Sequence, residues 1–433
     1  MTKQIHSDIA AGQVPEGYKL EHGYVIPKEW KVVHFNECFH RLTQKNTENN
    51  QNVLTISAQQ GLISQLDYYN TLYASEDKTG YFLLQKDDFA YNKSYSADYA
   101  YGAIKQLEKY DKGIVSPLYI CFSANEGTNT DFYRQYFEAG MFNREIYKIA
   151  QEGARNHGLL NVSTPEFFSA VLVFPPVEEQ KKIAEVLSCC NRVIELKQQL
   201  IAEMQRLKSG FLQAMFPAKG HSEPDIRFPE FSGDWEQRKL GDMMNVTSVK
   251  RIHQSDWTDS GVRFLRARDI VAAAKNEEPD DYLYISKEKY EEYSALSGKV
   301  DVSDLLVTGV GTIGVPYLVR NLEPLYFKDG NIIWFQNSDK IDGKFLFYSF
   351  SAEQIQGFVN ESAGIGTVGT YTIESGKKTP ISLPNQIEQA KVGEFFQQLD
   401  NLITLHQREL EETKKKKKSL AKLLLTGSVR APT

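Results

Sequence analysis

Cysteine, tryptophan and methionine are scarce in this chain of 433 residues. It contains four cysteines, four tryptophans and six methionines, and no two cysteines have the C-x-x-C spacing. A structural zinc site, which needs clustered thiolate or imidazole ligands, is therefore not expected. Long apolar runs are also missing, since no stretch reaches the roughly 18 residues that a membrane span requires. These absences predict a cytoplasmic protein with reduced thiols and no membrane contact.

The chain has no excess of positive charge. It contains 50 lysine and arginine residues against 56 aspartate and glutamate residues, which gives a net charge of -6. A simple nucleic-acid-binding protein neutralises phosphates with many basic residues, so the negative net charge argues against this class of protein. Basic residues can nevertheless gather on one face of a protein, so the total does not exclude a local nucleic-acid contact.

A glycine-rich motif, G-x-G-x-x-G, extends from Gly309 to Gly314 after an apolar run. In a dinucleotide-binding fold, this motif leads into a helix whose N-terminus meets the pyrophosphate. Here Val315, Pro316 and Tyr317 follow, and such a β-branched, proline-containing and aromatic stretch is typical of a strand. The motif therefore predicts a turn between two strands rather than a nucleotide site.

The strongest signal is an internal repeat. Residues 175–216 match residues 384–425 at a constant offset of 209, with Glu179 on Glu388 and Gln180 on Gln389. Further upstream, Trp30 aligns with Trp235 after a small gap. The chain thus consists of two copies of one arrangement, an aromatic-rich body followed by a long helix. The predicted bodies are residues 1–174 and 221–383, and the predicted helical segments are residues 175–220 and 384–433.

The two helical segments carry heptad patterns of the kind found in coiled coils. Polar residues interrupt the patterns at matching places, Lys197 with His406 and Lys208 with Lys417. Two helices of equal length whose apolar residues recur in the same heptad pattern should pack on each other along these residues, which form the seam. The duplicated order predicts an antiparallel pair with pseudo-twofold symmetry. The predicted seam residues are Ile183, Leu187, Cys190, Ile194, Ile201 and Met204 in the first helix and Val392, Phe396, Leu399, Ile403 and Leu410 in the second.

Each body is predicted to be mixed α/β. The stretch "DDFAYNKSYS", residues 87–96, occupies the place in the first body that "SDLLVTGVGT", residues 303–312, has in the second. The bodies keep a common framework and differ in surface at this point. Two such bodies at a fixed separation suggest a protein that reads two different features.

These features together resemble the specificity subunits of type I restriction-modification systems. The resemblance extends over residues 17–425 and rests on the twofold alternation of body and helix. It also rests on the entry "P…EQ…I" into the first helix and its counterpart in the second, on "DFAYNKSYS" and "VSPLYICF" in the first body, and on "GTIG" in the second. The fold that it implies is mixed α/β (α+β), with two target-recognition domains separated by two spacer helices that pack as an antiparallel coiled coil.

The resemblance also implies a function without catalysis on this chain. Such a subunit reads a bipartite site in double-stranded DNA and directs methyltransferase subunits, which use S-adenosylmethionine, and restriction subunits, which use ATP and Mg. The residues agree with this division of work. "FPPV" at residues 174–177 has phenylalanine where the methyltransferase motif N-P-P-[YFW] needs an amide, and the ATP-binding motif G-x-x-x-x-G-K-[ST] is absent.

Amide and guanidinium side chains suit bidentate contacts with adenine and guanine edges. In the second body, Arg263, Arg266 and Arg268 would share one face of a strand. The five consecutive lysines at residues 414–418 wrap around a helix, so most of them are expected to be solvated. The candidate DNA contacts are Tyr91, Asn92, Lys93, Tyr95, Arg155, Asn156 and His157 in the first body and Arg263, Arg266, Arg268, Thr308 and Thr312 in the second.

Two other classes of function remain open at this point. A duplicated coiled-coil scaffold that never touches DNA explains the helices, but it does not explain why the bodies differ in surface. An enzyme would need a nucleophile, a base and an orienting group, and the sequence offers no such constellation.

Overall fold

A computed structural model describes residues 5, 8, 11, 13–57, 60–71, 73–94, 99–150, 160–337, 340–363 and 369–431. The chain forms two compact units, the first made of residues 1–196 and 411–433 and the second of residues 197–410. Each unit contains one body and a part of each long helix. The units therefore divide the chain differently from the four predicted segments, whose boundaries stay a prediction.

The described part of the first unit is built from short strands and helices. Its strands are β1 (Tyr18–Glu21), β2 (Tyr24–Pro27), β3 (Lys31–His34), β4 (Phe39–Arg41), β5 (Leu54–Ser57), β6 (Gly61–Ser64), β7 (Phe82–Gln85), β8 (Phe89–Asn92), β9 (Ala103–Gln106), β10 (Lys112–Val115), β11 (Ile120–Ala124) and β12 (Val171–Phe174). Its helices are α1 (Phe35–Cys38), α2 (Gln65–Tyr69), α3 (Thr130–Glu138), α4 (Asn143–Ile149), α5 (Thr164–Ser169) and the first part of α6 (Val177–Ala214).

The second unit repeats much of this order. Its strands are β13 (Glu236–Lys239), β14 (Asn245–Thr247), β15 (Trp257–Thr258), β16 (Val262–Leu265), β17 (Leu283–Ile285), β18 (Leu305–Thr308), β19 (Pro316–Leu318), β20 (Leu325–Phe327), β21 (Ile332–Gln336) and β22 (Pro380–Leu383). Its helices are α7 (Leu240–Met243), a 3-10 turn at Gln254–Asp256, α8 (Ala267–Ala274), α9 (Lys287–Ser297), α10 (Gly343–Ser349), α11 (Glu353–Ser362), α12 (Ile373–Lys378) and α13 (Gln386–Leu425), which continues into the first unit.

The internal repeat appears as the same antiparallel sheet in each unit. The strand order is β4-β11-β8-β9 in the first unit and β14-β21-β18-β19 in the second. In each unit, the strand that precedes this sheet in the chain pairs with the strand that precedes the long helix. These pairs are β3 with β12 and β13 with β22. The predicted correspondence between residues 87–96 and residues 303–312 is confirmed, because β8 and β18 hold the same place in the two sheets.

Each body differs from the other outside the common sheet. In the first unit, β5 pairs with β6 and β7 pairs with β10 as separate two-stranded sheets. In the second unit, a four-stranded sheet with the order β15-β17-β16-β20 stands in their place in the chain, and β16 and β20 run parallel. The repeat therefore preserves a framework onto which each body adds its own strands.

Aromatic rings fill the core of the common framework in the first unit. The ring centroid of Phe35 lies within 5.0 Å of those of Phe39, Phe122 and Phe167, and all four side chains are fully buried. Rings of this size bury large apolar areas and supply most of the hydrophobic stabilisation of such a core. Helix α13 adds Leu424 and Leu425 to the same core.

The long helices α6 and α13 pack on each other in antiparallel fashion. In the second unit, Lys197 of α6 contacts Glu409 of α13, and Lys208 contacts Asp400, so residue numbers rise along one helix as they fall along the other. The predicted antiparallel pair is thus confirmed. All of the predicted seam residues are buried or half-buried, with Ile183, Leu187, Val392, Phe396 and Ile403 nearly inaccessible to solvent.

Both polar interruptions of the seam in the second unit form ion pairs. The Nζ atom of Lys197 lies 2.8 Å from Glu409, and His406 Nδ1 lies 3.3 Å from the same carboxylate. The Nζ atom of Lys208 lies 2.6 Å from Asp400. Lys197 lowers the pKa of Glu409, and His406 adds to the effect. Since charged pairs at seam positions match in one register only, they can fix the alignment of the helices.

Candidate nucleic-acid interface

The glycine-rich motif of the second unit forms a hairpin, as the sequence predicts. Strands β18 and β19 pair antiparallel, with Leu305 opposite Leu318 and Val307 opposite Pro316. The backbone carbonyl of Gly309 accepts a hydrogen bond from the N–H of Tyr371 at 2.9 Å. A Cβ atom on Gly309 would lie 2.6 Å from the Tyr371 carbonyl oxygen, so this close approach requires glycine.

The first unit makes the corresponding contact. The backbone carbonyl of Lys93, which follows β8, accepts a hydrogen bond from the N–H of Leu160 at 2.9 Å. In each unit, the loop after the central strand therefore meets the segment that leads into α5 or α12. Asn92 is half-buried, and its side-chain oxygen accepts a hydrogen bond from the N–H of Ser94 at 3.0 Å. Of the remaining first-body candidates, Tyr95, Arg155, Asn156 and His157 lie outside the described residues.

Two of the predicted DNA contacts, Tyr91 and Thr308, are buried in the core of their units. Tyr91 stacks on Phe167 with 5.2 Å between centroids and donates its hydroxyl to the Tyr101 carbonyl at 2.9 Å. Thr308 is fully buried, and its hydroxyl accepts from the N–H of Val315 at 3.0 Å. Both hydroxyl groups thus serve the fold. Thr312, by contrast, is exposed in the β18–β19 loop.

The prediction that three arginines share one face of a strand is wrong. Arg263 lies on β16, but the chain turns at Arg266 into helix α8. The guanidinium of Arg266 donates to Asp269 and Asp281, and the backbone N–H of Arg266 donates to Asp269 at 2.8 Å. Burial alone would lower the pKa of Arg266, but these hydrogen bonds raise it. Arg266 therefore occupies the N-cap position of α8, where the Asp269 carboxylate accepts its backbone N–H.

The other two arginines are more available. Arg268 is 60% exposed and forms an ion pair with Asp281, a carboxylate that Arg266 also engages. Arg263 is half-buried and stacks on the ring of Tyr282, with 3.8 Å between its guanidinium carbon and the ring centroid. Stacking of this kind holds a guanidinium in place while its edge stays free to donate.

The sequence does not reveal why the "EQ" pair recurs at the start of each long helix. Gln180 is fully buried, donates to the carbonyl of Pro175 at 2.9 Å and accepts from the N–H of Asn129 at 3.0 Å. Gln389 makes the same two bonds, to the carbonyl of Pro384 at 2.8 Å and from the N–H of Asp342 at 3.0 Å. Each glutamine thus ties the start of a long helix to its own body.

The glutamate of each pair binds an arginine distant in sequence. The side chain of Arg430 donates two hydrogen bonds to Glu179 in the first unit, and that of Arg227 donates two to Glu388 in the second. Glu179 lies on α6, and its partner Arg430 lies beyond the end of α13. Glu388 lies on α13, and its partner Arg227 lies beyond the end of α6. The 209-residue repeat aligns Glu179 with Glu388, and this alignment is the one sequence signal that could have pointed to these pairs.

Among the described residues, no group of three or more histidine, cysteine, aspartate or glutamate side chains is arranged to hold a metal ion. No helix in the same part of the chain is long and apolar enough to cross a membrane.

Comparison with known proteins identifies relatives. The family model described as "Type I restriction modification DNA specificity domain" matches residues 232–415. The type I restriction enzyme MjaVIII specificity subunit of Methanocaldococcus jannaschii is 25% identical over 435 residues, which cover 96% of this chain and 96% of that protein. The alternative of a coiled-coil scaffold without DNA binding gains no support from these relatives.

Solved structures share the fold. One chain, from a study of complex assembly and conformational transition in the type I R-M system, is similar over 94% of this chain and 100% of its own length, at 15% identity and a TM-score of 0.59. The HsdS subunit from Thermoanaerobacter tengcongensis is similar over 95% of this chain and 100% of its own length, at 15% identity and a TM-score of 0.50. With the repeated sheet, the antiparallel helices and relatives over nearly its full length, the chain is similar in sequence and in fold to type I restriction-modification specificity subunits.

Proposed function

We propose that this chain recognises double-stranded DNA for a type I restriction-modification complex and that each unit reads one half of a bipartite target. The observation that carries the proposal is the repeated four-stranded sheet, whose equivalent strands β8 and β18 end in different loops. A common framework with different loops is what two half-sites of unlike sequence require. The long helices, which both units share, fix the number of unread base pairs between the half-sites.

The base-reading groups in this proposal are those that remain accessible beside the equivalent strands. In the first unit, Asn92 is the last residue of β8 and Lys93 follows it, and in the second unit the candidates are Thr312 and Arg268. Amide and guanidinium groups form bidentate contacts with adenine and guanine, and a threonine can bond to a base edge or a phosphate. The net charge of -6 is consistent with a subunit that holds DNA only together with its partners.

In the proposal, all bond-making chemistry lies with partner subunits in the cytoplasm. Methyltransferase subunits supply S-adenosylmethionine, and restriction subunits supply ATP and Mg, so this chain acts as a non-catalytic reader. The sequence supports this part of the proposal, because it has neither the G-x-x-x-x-G-K-[ST] motif nor an amide-containing methyltransferase motif.

A gel-shift titration with the full chain, alone and with its methyltransferase, tests the proposal. We expect weak binding by the chain alone and sequence-specific binding by the complex. A complex that shifts target and scrambled duplexes equally would contradict the proposed function. The matched control is a variant with Thr308 replaced by valine, since this buried hydroxyl should affect stability without altering sequence preference.

A further inference from the structure

We propose that Leu118, at the tip of the turn between β10 and β11, contacts the 5-methyl group of a thymine in the half-site of the first unit. The inference rests on the proposed function and deepens it, because it names one base feature that the first unit reads. The turn consists of residues 116–119, Ser-Pro-Leu-Tyr, and is called the β10–β11 turn below.

The β10–β11 turn lies beside the residues that the proposed function assigns to DNA in the first unit. Strand β11 pairs antiparallel with β8, and Ile120 is directly opposite Tyr91. Antiparallel pairing places the start of one strand next to the end of the other. The turn that leads into β11 is therefore at the same edge of the sheet as Asn92, which ends β8, and Lys93, which follows it.

Hydrogen bonds hold the β10–β11 turn in one conformation. The N–H of Tyr119 donates to the carbonyl of Ser116 at 3.1 Å, and the N–H of Leu118 donates to the Ser116 hydroxyl at 3.3 Å. Serine and proline are typical of the first two positions of such a turn. Leu118 is 71% exposed, so the turn fixes an apolar side chain in solvent. A group that is already fixed loses less conformational entropy on binding than a mobile one.

Exposed aromatic side chains extend the apolar surface near the β10–β11 turn. Tyr69 and Tyr73 are 45% and 72% exposed, and their ring centroids are 5.1 Å apart. Burial raises the pKa of Tyr119, and the charge of Tyr69 raises it further, so these two tyrosines are close in space. Neighbouring exposed apolar groups mark interaction surfaces, whereas a single exposed leucine does not.

The loop that leads into β21 holds the corresponding place in the second unit, and its chemistry is different. This loop consists of Lys328, Asp329, Gly330 and Asn331. The carboxylate of Asp329 lies 3.0 Å from Nε of Arg251. The equivalent edges of the two sheets thus present an apolar side chain in the first unit and polar groups in the second. Half-sites of unlike sequence require a difference of this kind.

A thymine in the major groove fits the chemistry of this edge. Thymine is the one base of ordinary DNA that presents a methyl group there, and apolar side chains contact it. Phosphates and the polar edges of the other bases offer no comparable partner to a leucine. Asn92, at the same edge, carries the amide that suits adenine, which pairs with thymine. Leu118 therefore adds an apolar contact to the polar contacts proposed for Asn92 and Lys93.

The inference is tested with the complex of the full chain and its methyltransferase, on the target identified by sequencing of methylated positions. Each thymine of the target duplex is replaced, one at a time, by uracil, which lacks the 5-methyl group. Dissociation constants are then measured. We expect about fourfold weaker binding at one position, which is the effect of one methyl group that is no longer withdrawn from water. This position should lie in the half-site that Lys93→Ala relaxes.

The variant Leu118→Asn removes the apolar tip and introduces the residue type that precedes β21 in the second unit. It should bind the thymine duplex and the uracil duplex equally. The control is Leu20→Asn, which replaces a leucine on β1 that is 64% exposed and should keep the fourfold preference for thymine. Both side chains are exposed, so both variants should unfold at temperatures close to that of wild type.

A fourfold preference for thymine that persists in Leu118→Asn overturns the inference. Wild-type binding that no uracil weakens, or a first half-site without thymine on either strand, overturns it as well. Loss of the methyltransferase from Leu118→Asn in sedimentation without DNA also overturns it, because the leucine then contacts a protein. Equal binding of target and scrambled duplexes by the wild-type complex contradicts the proposed function itself, and the inference fails with it.

Discussion

Arg430 donates from Nε and Nη2 to the two carboxylate oxygens of Glu179, at 2.6 and 2.8 Å. Arg227 engages Glu388 with the same two atoms at 2.7 and 2.8 Å. In each pair, the chain that leaves one long helix is bound to the start of the other. The bidentate geometry fixes direction as well as distance. Each pair therefore holds the segment after one long helix against the start of the other long helix within its unit.

The two arginine–glutamate pairs should differ in their contribution to stability. Glu388 is fully buried and the side chain of Arg227 is 14% exposed, whereas the side chain of Arg430 is 43% exposed. Arg227→Ala should lower the free energy of unfolding by about 3 kcal/mol, because it leaves a buried carboxylate unpaired. Arg430→Ala should cost about 1 kcal/mol, since solvent screens the pair. Urea denaturation measures both, and Arg206→Ala, which removes an exposed pair, is the control. Equal losses in all three variants would contradict this ranking.

Gln389 should be sensitive to loss of its amide group. Gln389→Leu keeps the volume of the side chain but leaves the carbonyl of Pro384 and the N–H of Asp342 without their partner. We expect a loss of about 2 to 4 kcal/mol, because each orphaned buried group costs about 1 to 2 kcal/mol. Gln398→Leu, at an exposed position of the same helix, is the control. A thermal midpoint that falls no further for Gln389→Leu than for the control would contradict the role of this amide.

The stability of the first unit should rise with pH in the alkaline range because of Lys417. Its pKa in the folded protein lies below the ordinary value of 10.5. Between these two values the unfolded chain binds more protons at this position, so raising the pH favours the folded state. Lys417→Gln should remove this increment. Thermal midpoints of wild type and variant from pH 8 upward should therefore diverge, and parallel curves would show that Lys417 is charged without penalty.

Arg266 and Arg268 should separate stability from recognition. Arg266→Ala removes the bonds to Asp269 and Asp281 at the start of α8 and should lower the thermal midpoint. Arg268→Ala should leave the midpoint nearly unchanged and weaken binding by about 1 to 3 kcal/mol if the side chain reads a base, with relaxed preference at one position of one half-site. A loss that is uniform over all sequences would identify Arg268 as a phosphate contact instead.

The repeat, the hairpin after β18 and the antiparallel helices could be predicted because each depends on patterns within the sequence itself. Proline and β-branched residues after Gly314 exclude a helix locally, and the offset of 209 shows that both helices share one seam. These inferences need no knowledge of distant partners. The structure accordingly confirms them.

The site was less predictable because it depends on which side chains the fold buries. Tyr91 has the composition of a stacking residue, yet its neighbours in space, Phe167 and Tyr101, enclose it. The alternation of Arg263, Arg266 and Arg268 fits a strand, but Asp269 accepts from the backbone of Arg266 and starts a helix there. The partner of Glu179 lies 251 residues away, and no local pattern indicates it.

The most direct test of the central claim is sequencing of methylated positions in cells that carry this chain with its methyltransferase. The account predicts methylation within a two-part sequence of fixed gap. It also predicts that Lys93→Ala relaxes one half of that sequence, whereas Arg268→Ala relaxes the other. Methylation at a continuous site, or the same half relaxed by both substitutions, would contradict the claim that each unit reads its own half-site.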